Sequence, residues 1–203
     1  MYVSHTSTIR RAVLLVALLN FSYFFVEFAV ARAIGSVSLF ADSIDFLEDT
    51  TVNLLIFVAL GWTLYRRSIV GMVLAATLLV PGFFTLWAAW GKYLAPAPPD
   101  PAILSITGAG ALAVNLLCAF LLSRYRKDRS SLTRAAFLSA RNDAFANIAI
   151  IGAAIATVFT QNAWPDLIVG LAIFLVNLDA AREVYDSAGK EREEALASIE
   201  GEQ

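Results

Sequence analysis

Four carboxylates lie close together in an apolar stretch of the sequence, at Asp42, Asp45, Glu48 and Asp49. At about 100° per residue of an α-helix, the three aspartates and Asn53 share an arc of about 80°, and Glu48 points away. A carboxylate at the centre of a membrane helix costs about 2.5 to 3.5 kcal/mol, so it survives where it lines a cavity, pairs or binds a cation. Asp45 and Asp49 are one turn apart, and this spacing predicts two oxygen ligands for one small divalent ion.

A second polar group interrupts a later apolar stretch at Ser139, Asn142, Asp143 and Asn147. The first three share one face of a helix, and the last follows one turn later. At about 1.5 Å per residue, Asp143 comes to the same depth in a membrane as Asp45 and Asp49. Three carboxylates around a divalent cation must be deprotonated, and they can take up protons when empty. The pattern therefore predicts exchange of a metal ion for protons.

Six helices have to position these side chains. The chain has 203 residues, of which 59% are hydrophobic and 16% charged, and its mean hydropathy is +0.69. A membrane helix needs about 20 mostly apolar residues, and polar or Pro/Gly breaks leave six such windows: 12–34, 37–62, 69–94, 103–123, 134–160 and 164–185. We therefore expect an all-α, multi-pass membrane protein with one transport domain over 1–189. A short acidic cytosolic tail, 190–203, follows it, and we expect no C-terminal regulatory domain.

The distribution of basic residues predicts the orientation in the membrane. Most Lys and Arg residues fall on one side of a six-helix bundle, while the other side keeps Arg32 and Lys92. Loops rich in Lys and Arg stay in the cytoplasm, so both termini are predicted to be cytoplasmic, in a bacterial inner membrane. The aromatic residues predicted to meet the opposite interface are Trp87, Trp90, Tyr93 and Trp164.

Composition also excludes several functions. A net charge of −2 provides no basic excess for nucleic-acid binding. The single cysteine, Cys118, excludes an internal disulfide and a cysteine-rich metal site, and we interpret it as a small buried hydrophobic side chain. The single histidine, His5, lies in the polar N-terminal arm, where we expect it to be solvated.

The order of polar residues along the chain resembles the cation diffusion facilitator family of metal/proton antiporters. The residues that carry this resemblance are Asn20, Glu27, the run from Gly35 to Ser43, Asp45, Asp49, Asn115, Asn142, Asp143, Asn147, Trp164 and Asp166. They extend over nearly the whole chain, and such an ordered set across six helices is a specific signal.

The resemblance implies efflux of a divalent metal by alternating access in a homodimer. It also implies a tetrahedral metal site with two ligands from the second helix, Asp45 and Asp49, and two from the fifth, Ser139 and Asp143. The side chains expected to surround these ligands through hydrogen bonds between helices are Glu27, Asp42, Asn142 and Asn147. Ser139 departs from the family, which usually has His or Asp at this position. The family usually also has a cytosolic C-terminal domain, and here we expect only the short tail.

We expect Zn(II) as the cargo, because zinc is the commonest substrate of the family that the chain resembles. Asp and Ser oxygens suit harder ions such as Mn(II) or Fe(II), so these metals are alternatives, as are Co(II) and Cd(II). We expect no resident cofactor and no catalytic residue, as in a secondary transporter. A passive channel could use the same ligands, and proton movement in the opposite direction separates the two functions.

The enzyme alternative is a membrane phosphatidyltransferase, because Asp42, Asp45 and Asp49 superficially match its aspartate set. That motif also requires an Asp-Gly-x-x-Ala-Arg element, which is missing, and a Gly where Ala41 stands. An intramembrane aspartyl protease would need a Gly-x-Gly-Asp element, which is missing too.

Overall fold

The computed structural model describes residues 2–59, 64–123 and 131–200, and these residues form six α-helices and no strand. The helices are α1 Tyr2–Ile34, α2 Val37–Ala59, α3 Leu64–Leu94, α4 Pro101–Ser123, α5 Ser131–Thr160 and α6 Trp164–Glu200. The prediction of an all-α fold is confirmed, and the helices follow the six predicted windows in order. The predicted end of the second window, 60–62, and residues 124–130 between the fourth and fifth windows lie outside the described residues.

Two helices extend well beyond their apolar windows. α1 begins at Tyr2 rather than near residue 12, and α6 continues through the predicted tail to Glu200. The apolar windows measure only the length that hydrocarbon would cover, and in α6 the Glu, Lys, Arg and Ala residues that follow the window continue a helix in water at little cost. Hydropathy therefore underestimates both helices at their polar ends.

The turn between α1 and α2 is a tight reversal built on one glycine. Gly35 has a φ of 64°, a left-handed conformation that glycine adopts without steric cost. The amide of Ser36 then donates to the carbonyl oxygen of Ala31 at 3.0 Å, as in a Schellman motif. The acidic helix α2 consequently starts directly beside the end of α1.

Helix α2 is the centre of the bundle. It packs extensively along α1 and also contacts α3, α5 and α6, while α3 pairs mainly with α6, and α4 with α5. Three acidic side chains of α2, those of Asp42, Asp45 and Asp49, are therefore buried between helices.

Two apolar clusters enclose a polar layer. One cluster contains Leu39, Leu104 and Ile150, and the other, further along the bundle, contains Val16 and Leu122. The buried polar residues between them include Asn20, Glu27, Asp42, Asp45, Asp49, Asn53, Asn115 and Asn147. Because buried polar groups require partners, this layer is where the sequence predicts a site.

The outer surface of the bundle is strongly apolar. Phe159 is 83% exposed and Trp87 is 77% exposed. Described segments of three helices are long and apolar enough to cross a membrane: Arg10–Ile34, Pro101–Ser123 and Ser139–Thr160. The prediction of six spans with both termini in the cytoplasm stays a prediction.

The predicted aromatic cluster forms at one end of the bundle. Trp90 stacks on Tyr93 with ring centroids 5.8 Å apart, and Tyr93 meets Trp164 edge to face at 6.1 Å. All three side chains are exposed, as is typical of residues at a membrane interface.

Candidate metal site

Asp49 lies where α1, α2 and α5 meet. Its Oδ2 accepts a hydrogen bond from the Asn20 amide at 3.3 Å, and its Oδ1 accepts one from the Ser139 hydroxyl at 2.9 Å. The carboxyl group of Asp143 is within hydrogen-bonding range of Asp49 as well. Three of the four predicted ligands, from two helices, therefore lie side by side.

Asp45 has a different partner. It is buried, and its Oδ1 accepts a hydrogen bond from the side-chain amide of Asn177 on α6. Asp143 interacts electrostatically with Asp45. Sequence reasoning missed Asn177, although an amide inside the apolar run of α6 was the signal that could have identified it.

The predicted ligands do not form a closed coordination sphere in this conformation. Within the described residues, no three Asp, Glu, His or Cys side chains converge to hold a metal ion. Asp49, Ser139 and Asp143 meet, whereas Asp45 is bonded to Asn177. Neighbouring carboxylates repel each other, and hydrogen-bond donors on Asp45 and Asp49 offset part of this repulsion. The four-ligand set therefore stays a prediction.

A chain of amide hydrogen bonds lies beside the ligands. The Asn115 amide donates to Asn147 Oδ1 at 2.9 Å, and the Asn147 amide donates to Asp42 Oδ2. All three side chains are buried. This chain connects α4 through α5 to α2, at a point one turn before Asp45.

Two of the other predicted surrounding residues lie in contrasting places. Asn142 is exposed, and its Oδ1 accepts from Arg141 at 3.2 Å. Glu27 is fully buried next to Asp42. The structure therefore brings Glu27 into the polar layer and leaves Asn142 at its edge.

A cavity of about 310 Å³ lies on the other side of α2, between α3 and α6. Glu48 and Ile44 line it from α2, and Asn177 and Arg182 line it from α6. The amide that bonds Asp45 is therefore also part of the wall of this cavity, which lies next to the polar layer.

Asp166 on α6 fixes the beginning of α2. Its Oδ1 accepts from the hydroxyl groups of Ser36 and Ser38, both at 2.6 Å, and from the Ser38 amide at 3.2 Å. Its Oδ2 accepts from the Val37 amide at 2.8 Å. A carboxylate at a helix N-terminus satisfies amides that have no partner within the helix, so this contact ties α6 to α2.

Comparison with known proteins agrees with this architecture. A bundle with an apolar surface and a buried layer of carboxylates is the arrangement of a membrane protein that handles cations. Residues 13–190 match the model of the cation efflux transmembrane domain. The chain therefore belongs to the cation efflux, or cation diffusion facilitator, family.

Two curated relatives are similar to this chain. They are the zinc transporter ZitB of Escherichia coli (strain K12) and the protein of the same name from Shigella flexneri. Each is 26% identical over 180 residues, which is 82% of this chain and 57% of the relative. The chain thus spans little more than half the length of these relatives.

Proposed function

We propose that this protein exports a divalent metal cation by alternating access, with Zn(II) as the cargo and protons moving in the opposite direction. Membership of the cation efflux family and similarity to proteins named zinc transporters support this proposal. They also favour a secondary transporter over the phosphatidyltransferase-type enzyme. The protein would act as a homodimer with six membrane spans in a bacterial inner membrane.

The position of Asp49 is the observation that carries the proposal. Asp49 is buried in a bundle with an apolar exterior and lies beside Ser139 and Asp143 of α5. A cation at this point would bind the lone pairs that now accept hydrogen bonds. Asp45 would complete the site once it exchanges Asn177 for the metal, so movement of α6 relative to α2 would accompany binding.

The oxygen-rich ligand set leaves the choice of metal to experiment. Zn(II) is compatible with carboxylate oxygens at about 2.0 to 2.2 Å but usually draws nitrogen or sulfur ligands, while Mn(II) and Fe(II) suit oxygen better. Purified protein in proteoliposomes, tested with Zn(II), Cd(II), Co(II), Mn(II) and Fe(II) in turn, ranks these cargoes directly.

The test of the function is zinc flux measured together with proton flux. Sealed proteoliposomes with a zinc dye and a pH dye inside should show zinc entering and protons leaving. Asp49→Asn should lower zinc uptake at least about tenfold, which is about 1.4 kcal/mol. Asp100→Asn is the matched control, because Asp100 is an exposed helix cap at the start of α4.

Two outcomes would contradict the proposal. If Asp49→Asn transports zinc at the parent's rate, Asp49 is not part of the transport site. Zinc flux without any counter-movement of protons would instead indicate a passive channel with the same ligands.

A further inference from the structure

Two buried carboxyl groups outside the predicted ligand set face each other across α1 and α2. Glu27 and Asp42 are both fully buried, at 0% exposure, and lie within hydrogen-bonding range of each other. Neither is among the four predicted ligands, and Asp42 is one helical turn from Asp45. The pair is therefore close to the metal site but separate from it.

Most oxygen atoms of the pair lack a donor. Both carboxyl oxygens of Glu27 and Oδ1 of Asp42 are buried without a hydrogen-bond partner in the described structure. Only Asp42 Oδ2 is occupied, by the amide of Asn147. Buried polar atoms are nearly always satisfied, so three such atoms in one place indicate that a ligand able to satisfy them is missing from this arrangement.

The surrounding groups supply neither a cation nor a free hydrogen. The titratable groups that act on the pair from the described elements are all acidic or phenolic: Asp45 on α2, Asp143 on α5 and Tyr23 on α1. Tyr23 carries the hydroxyl group of this set, but it donates to the carbonyl oxygen of Thr107 on α4 at 2.7 Å. The Tyr23 hydroxyl is therefore not available as a donor to the oxygen atoms of the pair.

A proton is the ligand that fits. Two ionised carboxylates in contact in a dry interior repel each other, and one bound proton removes this repulsion. A protonated carboxyl group also becomes a donor, which satisfies an oxygen of its neighbour. Two carboxyl groups are also fewer than the three or four protein ligands of a typical zinc site.

We propose that Glu27 and Asp42 together hold one proton, and that this proton leaves when a divalent cation binds at Asp45, Asp49 and Asp143. The step breaks one carboxyl O–H bond, its electron pair stays on the carboxylate, and the proton passes to water. The metal at Asp45 would lie about one helical turn of α2 from Asp42, and its positive charge would replace that of the proton. This inference rests on the proposed function, because it assigns a carrier for the counter-ion.

The test counts protons released per metal ion bound. Purified full-length protein is titrated with zinc by calorimetry in two buffers of different ionisation enthalpy, which yields the number of protons released. Glu27→Gln should release about one proton fewer per bound zinc than the parent, because the shared proton is missing. Asp100→Asn removes an exposed carboxyl group far from the pair in sequence, at the start of α4, and should keep the parent's number.

Infrared difference spectroscopy supplies a second readout on the parent protein itself. Zinc should abolish a band of protonated carboxyl groups, and the part of this band that comes from the pair should be missing from the start in Glu27→Gln. If Glu27→Gln cannot be purified, Asp42→Asn should show the same two losses, because it removes the other carboxyl group of the pair.

The outcomes separate this inference from the proposed function. A parent that binds no zinc contradicts the function itself. A parent that binds zinc but shows no protonated carboxyl band overturns the proton site. It is equally overturned if Glu27→Gln binds zinc and releases as many protons as the parent.

Discussion

The hydroxyl group of Ser139 on α5 donates a hydrogen bond of 2.9 Å to Asp49 Oδ1 on α2. The position that departs from the family's usual His or Asp thus still points at the carboxylate predicted to bind metal. Its side chain is partly buried and short, so a larger ligand at this position would reach the same point. The metal preference of the chain can therefore be tested at one residue.

Ser139→His should shift binding toward zinc and cadmium and away from manganese. A neutral imidazole binds Zn(II) at about 2.0 to 2.1 Å and is a far better zinc ligand than a hydroxyl group. We expect the ratio of zinc to manganese affinity to rise at least about tenfold, or about 1.4 kcal/mol. Binding isotherms for both metals measure it.

Ser139→Ala is the matched control for that substitution. It removes the hydroxyl group without adding a ligand, so the selectivity should stay close to that of the parent. A folded Ser139→His protein with unchanged selectivity would show that position 139 does not face the bound ion.

Asn177→Ala should tighten metal binding by about three- to tenfold. The amide of Asn177 occupies Asp45 Oδ1 in this conformation, and a hydrogen bond to a charged group contributes about 1.5 to 3 kcal/mol. Because Asp45 must give up this hydrogen bond to bind the metal, part of this free energy weakens metal binding in the parent. Calorimetry measures the affinity, and Val176→Ala, at a neighbouring outward-facing side chain, serves as control. Weaker binding in Asn177→Ala would mean that the amide supports the bound state.

Asp166→Asn should destabilise the protein by about 2 to 3 kcal/mol. The carboxylate of Asp166 accepts hydrogen bonds from Ser36, Val37 and Ser38. An asparagine would place its NH2 group against these N–H and O–H groups and leave some of them without an acceptor. Thermal unfolding in detergent measures the loss. Asp100→Asn is the control, since Asp100 caps exposed amides of α4 and Asn caps a helix equally well. Equal melting temperatures for both variants would contradict the assigned role of Asp166.

Gly170→Ala should destabilise the contact between α6 and α2 by about 1 to 3 kcal/mol. A Cβ atom at this position would lie 2.7 Å from the carbonyl carbon of Val37 and 2.8 Å from the amide nitrogen of Ser38, and main-chain atoms cannot turn aside as a side chain can. Gly152→Ala meets nothing within 4 Å and should be neutral or slightly stabilising. Unfolding of both variants in detergent distinguishes the two positions.

The sequence was sufficient to predict the six helices and their order, because apolar windows and Gly or Pro breaks are local signals. It also identified the acidic face of α2 and the polar face of α5, which the helical period determines. It could not predict that Asp45 pairs with Asn177, since that contact depends on how α6 rotates against α2. Nor could it predict that Asn142 is exposed. The side chains of Asn142 and Asp143 point about 100° apart around α5, and the packing of the neighbouring helices decides which of these two directions is covered.

Asp166 has a mechanical consequence for α6. Its carboxylate fixes the first turn of α6 to the first turn of α2, and Asn177 lies 11 residues further along the same helix, about 16 Å away. A rotation of α6 by about 6° around that fixed point would move Asn177 by about 1.7 Å, which is enough to break a hydrogen bond. In such a rotation α6 would pivot at Asp166, and a small change of its angle would break the hydrogen bond between Asn177 and Asp45.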